Sequence, residues 1–156
     1  VILDPVLVFK ENHDTEISQM TAKLLEFLPF VTVITPNLRE AEMLSGMTIT
    51  TVSDMKVAAK ALSGLGSQHT VIKGGSRLDK HFARDLYDDG GLSREFVKPI
   101  VARNNNGAGC TFASAIASNI ARGKSVLTAV EQSKDFVYQA ILNSNEYGVF
   151  QHDINT

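Results

Sequence analysis

A run of small residues in the last third of the chain has the composition of an anion-binding helix start. Gly107-Ala108-Gly109-Cys110 follows an asparagine-rich loop and precedes a segment of small and apolar residues that ends near Ala121. Two glycines and an alanine leave backbone N–H groups accessible, and the helix dipole adds partial positive charge at that end. The pattern indicates a phosphate-binding turn or, equally, a tight turn that packs the helix against a sheet.

Cys110 lies in the first turn of this predicted helix and is the only cysteine of the chain. A helix N-terminus favours the thiolate, so Cys110 could act as a general base or as a nucleophile. A lone cysteine is also often a small buried apolar residue, and both interpretations stay open. Because one cysteine cannot form an intrachain disulfide, a cytoplasmic location is expected.

Charged and polar side chains follow three predicted strands, at the edge where open α/β sheets bind their ligands. In chain order these residues are Asp4, Asn37, Glu40, Lys73 and Gly75. Two carboxylates with water can hold Mg²⁺, and a lysine beside glycines can meet a phosphate. In the alternative interpretation, Glu40 only caps a helix and compensates its dipole, and Lys73 only extends into solvent.

The composition predicts one soluble domain over residues 1–156. The chain is 44% hydrophobic and 21% charged, and its 15 basic and 17 acidic side chains leave a net charge of −2. This balance offers no basic field for nucleic acid and no polybasic membrane anchor. No apolar run approaches the roughly 20 residues that a membrane-spanning helix requires.

The chain opens with the apolar run Val1 to Val8, which predicts a strand buried on both faces as in a parallel sheet. Such central strands rarely begin a native chain, so we expect an N-terminal portion to precede Val1. The sheet edge at Val1 would then be exposed, which predicts association into a homodimer or aggregation.

Helices and strands alternate through the first half of the chain. A helix capped by Asp14 or Thr15 is expected to end at Pro29. A strand follows, and Thr35-Pro36 then has the pattern of an N-cap with proline at the first position of a second helix. Gly46 is expected to end that helix.

A third helix is expected from Ser53 to Gly66, followed by a strand over Thr70–Lys73. Helical spacing assigns to its inward face the residues Val57, Ala58, Ala61 and Leu65.

The second half of the chain contains a predicted hairpin and a helix pair. Asp89-Gly90-Gly91 separates two short β-type segments, Gly123 breaks the helix that starts near Gly107, and Ser125 begins a last helix that ends near Asn143. All these elements together predict an α/β fold with a mainly parallel sheet, flanking helices and a β-hairpin.

Four motifs occur in the order and spacing of a known family. They are Asp4-Pro5-Val6, Thr35-Pro36-Asn37-Leu38 with Glu40-Ala41-Glu42 behind it, Val71-Ile72-Lys73-Gly74-Gly75, and Asn106-Gly107-Ala108-Gly109-Cys110-Thr111. From Val1 to about Asn143 the chain resembles the hydroxymethylpyrimidine (phosphate) kinases and bacterial pyridoxine/pyridoxal kinases of the ribokinase-like superfamily. The resemblance implies a ribokinase-like fold without its N-terminal half, which supplies the first strands and most ring-binding contacts.

The resemblance implies that ATP phosphorylates a hydroxymethyl group on a small heteroaromatic alcohol or aldehyde. Gly107, Ala108 and Gly109 would form the anion hole for the transferring phosphoryl group. Cys110 matches the position where the wider superfamily has an aspartate base and where this branch commonly has cysteine.

The resemblance also implies positions for the cofactors ATP and Mg²⁺. Asp4 and Glu40 match positions associated with the metal. The residues that would bind the nucleotide and its phosphates are Asn37, Lys73, Gly75 and Asn106. The residues therefore carry the nucleotide-binding portion of such a kinase.

One departure bears on the substrate. The family often has a His-Gly-Thr-Gly-Cys loop, whereas this chain has Asn106-Gly107-Ala108-Gly109-Cys110. The absence of that histidine and threonine favours phosphorylation of pyridoxine, pyridoxal or pyridoxamine over a hydroxymethylpyrimidine (phosphate) kinase. A non-catalytic nucleotide-binding module is a third possibility, which the joint presence of Asp4, Glu40 and Cys110 disfavours.

Overall fold

The computed structural model describes residues 1–7 and 14–151. Its elements in chain order are β1 (Ile2–Leu3), α1 (Asp14–Phe27), a 3-10 turn (Leu28–Phe30), β2 (Val33–Ile34), α2 (Leu38–Ser45), α3 (Val52–Gly64), β3 (His69–Lys73), β4 (Phe82–Asp88), β5 (Ser93–Pro99), α4 (Ala108–Ala121) and α5 (Val126–Leu142). The chain divides into two compact units, residues 1–97 and residues 98–156. In the described parts of the chain, no helix has the length and apolar character needed to cross a lipid bilayer.

The five strands form one mixed sheet in the order β1-β2-β3-β4-β5. β1, β2 and β3 are parallel neighbours, while β4 runs antiparallel to β3 and turns into β5. The turn is closed by the Asp89 N–H, which donates to the Leu92 carbonyl at 3.2 Å. The predicted α/β fold with a parallel sheet and a hairpin is confirmed.

The first strand is shorter than its apolar run predicts and lies at the edge of the described sheet. Only Ile2–Leu3 form the strand, so the prediction of a strand as long as the apolar run is wrong for the described residues. Val1 is 61% exposed, in agreement with the exposed sheet edge expected there. Pro5 has no N–H for a strand ladder, and the Val6 N–H turns back to the Asp4 carbonyl at 2.9 Å. The strand therefore ends before Asp4. Val8 lies outside the described residues.

Helices α2 and α3 pack against β3 and β4 through an apolar cluster. Its members are Leu38, Ala41, Ile49, Met55, Ala58, Ala59, Ile72 and Leu86. Of the four residues predicted to face inward on α3, Ala58 is fully buried, but Val57 and Leu65 are exposed. The buried stripe of α3 is instead Met55, Ala58, Ala59 and Leu62, because this face packs against α2, β3 and β4.

The second unit contains the helix pair that the sequence predicts. Gly107 is the N-cap of α4 with φ +82°, and Gly123 follows its C-cap. The Ser125 side chain accepts a hydrogen bond from the Thr128 N–H and begins α5, which ends with Asn143 as its C-cap. Glycine and serine therefore set these boundaries locally, as expected. In the first unit, Asp14 and Thr15 are the possible caps of α1, and their side chains lie outside the part of the chain that the structure describes.

Candidate active site

The start of α2 differs from its prediction. Asn37 is the N-cap and has an extended backbone, so Thr35-Pro36 lies before the helix. The Pro36 carbonyl accepts a hydrogen bond from the Lys73 N–H at 2.8 Å, which prolongs the β2–β3 pairing through Pro36. Because that carbonyl bonds to β3, the helix cannot begin at proline. The prediction of Thr35 as the N-cap is therefore wrong. The Thr35 side chain contacts Asp4 instead.

Asp4 and Lys73 form an ion pair at the carboxyl ends of β1 and β3. Lys73 Nζ lies 2.8 Å from Asp4 Oδ1, and the two side chains are only 18% and 16% exposed. The buried hydroxyl of Thr35 lies 3.3 Å from the same oxygen. Low solvent exposure strengthens this pairing and makes the loss of either partner costly. Thr35 is a site residue that the sequence analysis missed, since its Thr-Pro pattern indicated a helix cap.

Glu40 is buried beside this pair. Its carboxylate accepts the Asn37 N–H at 2.8 Å, while the Asn37 side chain accepts the Glu40 N–H at 2.9 Å, which completes a capping box. Burial raises the pKa of Glu40 above its ordinary value, against the lowering effects of the Asn37 and Leu7 N–H groups and of the Lys73 charge. Glu40 therefore does cap α2, and its carboxylate also lies within the electrostatic range of Lys73 and Asp4.

The raised pKa of Glu40 makes folding depend on pH in a defined direction. A carboxyl whose pKa is higher in the folded chain stabilises the fold fully below its ordinary pKa, and this contribution is lost as the pH rises through the folded value. We expect Glu40→Gln, which keeps a capping-box residue, to flatten the fall in the free energy of unfolding above pH 4.5. Urea unfolding at a series of pH values measures this, and parallel profiles for the two proteins would contradict it.

The donor set is compatible with Mg²⁺ that arrives with a phosphate ligand. The described residues contain no group of three His, Cys, Asp or Glu side chains that could hold a metal by themselves. Mg²⁺ is often bound by one or two carboxylates, with water and substrate phosphates completing its octahedron. Asp4 and Glu40 are such carboxylates, and the contacts of Thr35 and Lys73 with Asp4 both use Oδ1.

The loop after β3 is held by close contacts. A Cβ at Gly74 would lie 2.0 Å from the Arg84 carbonyl oxygen, so only glycine lets β3 continue past β4. The Gly74 N–H donates to Asp85 Oδ1 at 3.1 Å. Gly75 follows in an exposed turn. These contacts fix the backbone directly after Lys73.

Arg77 ties the same loop to α2. Its two terminal nitrogens each lie 2.7 Å from a carboxylate oxygen of Glu42, and Glu42 Oε1 also accepts the Ile49 N–H at 2.9 Å. The hydrogen bonds from Arg77 lower the pKa of Glu42, so the carboxylate stays ionised. Glu42 belongs to one of the four motifs, and its role here is to position the loop.

The start of α4 presents backbone donors without a side-chain cap. Gly107 supplies no cap side chain, the Ala108 N–H donates to the Asn105 carbonyl, and the Thr111 N–H donates to the Gly107 carbonyl. By helix geometry, the N–H groups of Gly109 and Cys110 have no partner within the helix. This turn has the donor arrangement and dipole direction that suit an anion.

Cys110 is exposed on that first turn. The interpretation of Cys110 as a small buried apolar residue is therefore wrong. Asn106 is also exposed, but both its backbone and its side chain bond to the segment near Tyr147.

The structure thus places the predicted site residues in two groups, one in each compact unit. The first unit brings together Asp4, Lys73, Asn37 and Glu40, with Gly75 in the adjoining loop. The second unit brings together Asn106, Gly107, Ala108, Gly109 and Cys110.

Comparison with known proteins gives one consistent family. A family model described as phosphomethylpyrimidine kinase matches residues 1–155. The chain is 38% identical to a hydroxymethylpyrimidine/phosphomethylpyrimidine kinase of Bacillus subtilis, a match that covers 92% of this chain and 54% of the relative. It is 41% identical to a putative pyridoxine kinase of Staphylococcus aureus, with 91% and 52% covered.

Solved structures give the same result. The pyridoxal kinase of Staphylococcus aureus in complex with AMP-PCP superposes with a TM-score of 0.90 at 38% identity, and the match covers 99% of this chain and 59% of that one. The same enzyme in complex with pyridoxal gives a TM-score of 0.85, with 94% and 55% covered. The chain therefore spans just over half the length of the relatives that it matches.

Proposed function

The chain belongs to the phosphomethylpyrimidine kinase family, and we propose that it takes part in ATP-dependent phosphorylation of the hydroxymethyl group of pyridoxine, pyridoxal or pyridoxamine. The observation that carries the proposal is the exposed Cys110 on the uncapped first turn of α4. Relatives named as pyridoxine kinases and a pyridoxal kinase crystallised with AMP-PCP support both the reaction and the nucleotide.

The α4 start is proposed to stabilise the transferring phosphoryl group. The N–H groups of Gly109 and Cys110 would donate to its equatorial oxygens, and the small side chain of Ala108 leaves room for the group to approach. Phosphoryl transfer depends mainly on positioning and on charge stabilisation, which fixed N–H groups and a helix dipole provide.

Cys110 is proposed to accept the proton of the substrate hydroxyl. The hydroxyl oxygen attacks the γ-phosphorus of ATP, the bond from that phosphorus to the β–γ bridging oxygen breaks, and ADP leaves with the bond electrons. The hydroxyl proton passes to Cys110 Sγ, which must be a thiolate beforehand. The exposure of Cys110 allows a substrate to reach it.

The residues of the first unit are proposed to bind the nucleotide phosphates. Lys73 would exchange part of its pairing with Asp4 for a phosphate oxygen, and Asn37 and Gly75 lie on the loops that flank it. Asp4 and Glu40 would hold Mg²⁺, which when bound neutralises phosphate charge. The resemblance of the Asn106–Thr111 motif supports Asn106 as a further residue that binds the nucleotide.

Cys110 has a second possible role when the substrate is an aldehyde. Its sulfur could add to the carbonyl carbon of pyridoxal, forming an S–C bond while the thiol proton moves to the carbonyl oxygen. The product is a hemithioacetal, and no oxidant or reductant is needed. This role requires an aldehyde, so it is possible with pyridoxal but not with pyridoxine.

A second candidate function is phosphorylation of hydroxymethylpyrimidine or its phosphate. The description of the matching family model and the Bacillus subtilis relative favour it. Asn106 and Ala108 favour the pyridoxine branch instead, because they replace the histidine and threonine of the loop that the family often has.

A transfer assay on this 156-residue chain tests the proposal. Mg-ATP is offered with pyridoxal, pyridoxine or hydroxymethylpyrimidine in separate reactions, and the mass spectrum of the small molecules is recorded. We expect a product heavier by one phosphoryl group with a B6 vitamer. A product with the pyrimidine alone would select the second candidate. Absence of product with Mg-ATP bound would show that transfer needs polypeptide beyond these residues, and absence of both would contradict the proposed function.

A further inference from the structure

We infer that the segment Asn145–Gln151 holds the loop before α4 in place, so that Gly148 and Asn104 are positioning residues for the N–H groups at the start of that helix. We call this segment the C-terminal brace. The proposed mechanism uses none of its residues. Its effect on Mg-ATP rests on the proposed function, whereas its effect on the loop does not.

The Asn104 side chain joins the brace to the loop. Its Nδ2 donates to the carbonyl oxygens of Asn145 at 3.0 Å and of Glu146 at 3.1 Å. Its Oδ1 accepts the Asn106 N–H at 3.0 Å. One amide therefore bonds at the same time to the brace and to the residue that precedes Gly107.

Asn106 makes two more bonds to the brace. Its carbonyl accepts the Val149 N–H at 3.0 Å, and its Nδ2 donates to the Tyr147 carbonyl at 3.3 Å. The next residue, Gly107, is the N-cap of α4 and has φ +82°. The conformation from which α4 starts is thus set by contacts with the brace as well as by local sequence.

The brace is closed by an internal turn at its beginning and anchored to α5 and α4 towards its end. At its beginning, the Asn145 N–H and the Gly148 carbonyl close a turn at 3.0 Å. Further along, the Phe150 N–H donates to the Ala140 carbonyl of α5 at 3.1 Å. Gln151 Nε2 donates to the buried Thr111 hydroxyl at 2.8 Å, which adds a direct contact to α4. A segment fixed in this way can resist displacement of the loop.

Gly148 permits the closest approach between brace and loop. Its φ is +150°, and a Cβ at this position would lie 2.6 Å from the Asn106 carbonyl oxygen and 3.4 Å from the Asn106 carbonyl carbon. Any other residue must push Asn106 away or change the brace backbone. The position therefore requires glycine for two independent reasons, the close contact and the dihedral angle.

The matched control for Gly148→Ala is Gly123→Ala. Gly123 also has a positive φ, +84°, and lies in the same unit, but a Cβ there would have no neighbour within 4 Å. Both variants carry the dihedral strain, and only Gly148→Ala adds the clash with Asn106. Asn104→Asp is a second, milder variant, because it keeps the acceptor for the Asn106 N–H and removes the donor to the brace.

Two measurements on the full 156-residue chain test the inference. Amide hydrogen exchange of residues 104–111 in the ligand-free protein reports the loop directly. Isothermal titration with Mg-ATP, and kcat and KM where transfer is detected, report the consequence. A loop displacement of about 1 Å can cost roughly 100-fold in rate, so kcat is expected to fall more than KM rises.

We expect Gly148→Ala and Asn104→Asp to speed exchange in residues 104–111 without affecting the middle of α5, and Gly123→Ala to leave that loop unchanged. Equal exchange in all proteins would overturn the inference, as would faster exchange with unchanged Mg-ATP binding and unchanged kcat. If the parent chain binds no Mg-ATP, the proposed function fails, and the exchange measurement still decides whether the brace holds the loop.

Discussion

Replacing Cys110 with alanine is expected to lower kcat for phosphoryl transfer by roughly 10²- to 10⁴-fold, the contribution of a positioned general base. Cys110 is exposed, so removal of its sulfur leaves the packing of α4 intact. The measurement is kcat at saturating Mg-ATP and substrate, together with the thermal midpoint. We expect the midpoint to stay within a few degrees of the parent value, since no buried contact is lost.

Two variants make this result specific. Cys110→Ser keeps a polar atom of similar size but not a thiolate, and it should lose nearly as much activity as alanine. Ser114→Ala changes an exposed residue one helical turn further along α4 and should retain parental kcat. Parental activity in Cys110→Ala would eliminate both proposed roles of the sulfur.

The choice of substrate separates the two roles of Cys110. A general base acts on the hydroxyl, so its loss should affect pyridoxine and pyridoxal alike. A hemithioacetal requires the aldehyde, so it should affect pyridoxal alone. Without ATP, an adduct would also reduce the aldehyde absorbance of pyridoxal in the parent but not in Cys110→Ala. Equal losses with both substrates and an unchanged absorbance would assign the base role.

The boundaries of the two helices in the second unit could be predicted from local sequence. Gly107, Gly123 and Ser125 fall at helix boundaries because backbone conformation and capping depend on a residue and its nearest neighbours. The contacts of the C-terminal brace could not be predicted in the same way. Asn104 and Asn145 are 41 residues apart, and nothing in their immediate surroundings indicates that they meet.

In the first unit, local patterns predicted the right elements, and two details besides the inward face of α3 were wrong. Thr35-Pro36 fits a helix start, but the Pro36 carbonyl bonds to the Lys73 N–H instead, and Asn37 becomes the cap. The run after Val1 has the composition of a long strand, yet the Pro5 ring and the turn at Val6 end it early. The first error arises because pairing with a distant strand overrides local propensity. The second arises because one proline and the turn beside it end a strand that the apolar composition favours.

The four motifs carried the family assignment, which the family match confirms. They also placed Asp4 and Lys73 at strand ends, but not in contact, because 69 residues separate them. Their pairing follows from the sheet order, in which β1 and β3 lie on the two sides of β2. The low solvent exposure that makes this pair important for stability likewise arises only in the folded chain.

This pair gives the second large prediction. Lys73→Met is expected to lower the free energy of unfolding by about 1–3 kcal/mol, because it leaves the mostly buried Asp4 carboxylate without its cation. Asp4→Asn in the same chain should restore part of that loss, since the unpaired charge is gone. Urea unfolding of the parent, both single variants and the double variant measures a coupling energy, expected at about 0.5–3 kcal/mol for residues in contact.

An exposed ion pair in the same unit is the matched control. Lys23 and Glu26 lie 3.0 Å apart with side chains 77% and 67% exposed, so solvent screens their attraction. Lys23→Met should therefore leave stability nearly unchanged. An equal effect at both lysines would show that the burial of the Asp4–Lys73 pair has no energetic consequence.

Mg-ATP binding then separates the structural role of Lys73 from its proposed role at the phosphates. Loss of one charge-assisted hydrogen bond weakens binding by roughly 10- to 100-fold. Because Asp4 is itself proposed to hold Mg²⁺, the double variant is compared with Asp4→Asn alone. If Lys73 contacts a phosphate, the double variant should bind Mg-ATP more weakly than Asp4→Asn by this factor, although it is no less stable. If the lysine serves only to neutralise Asp4, the two proteins should bind Mg-ATP equally. The Mg-ATP affinity and the free energy of unfolding change together in one case and separately in the other. The same four proteins therefore decide between a structural cation and a nucleotide ligand.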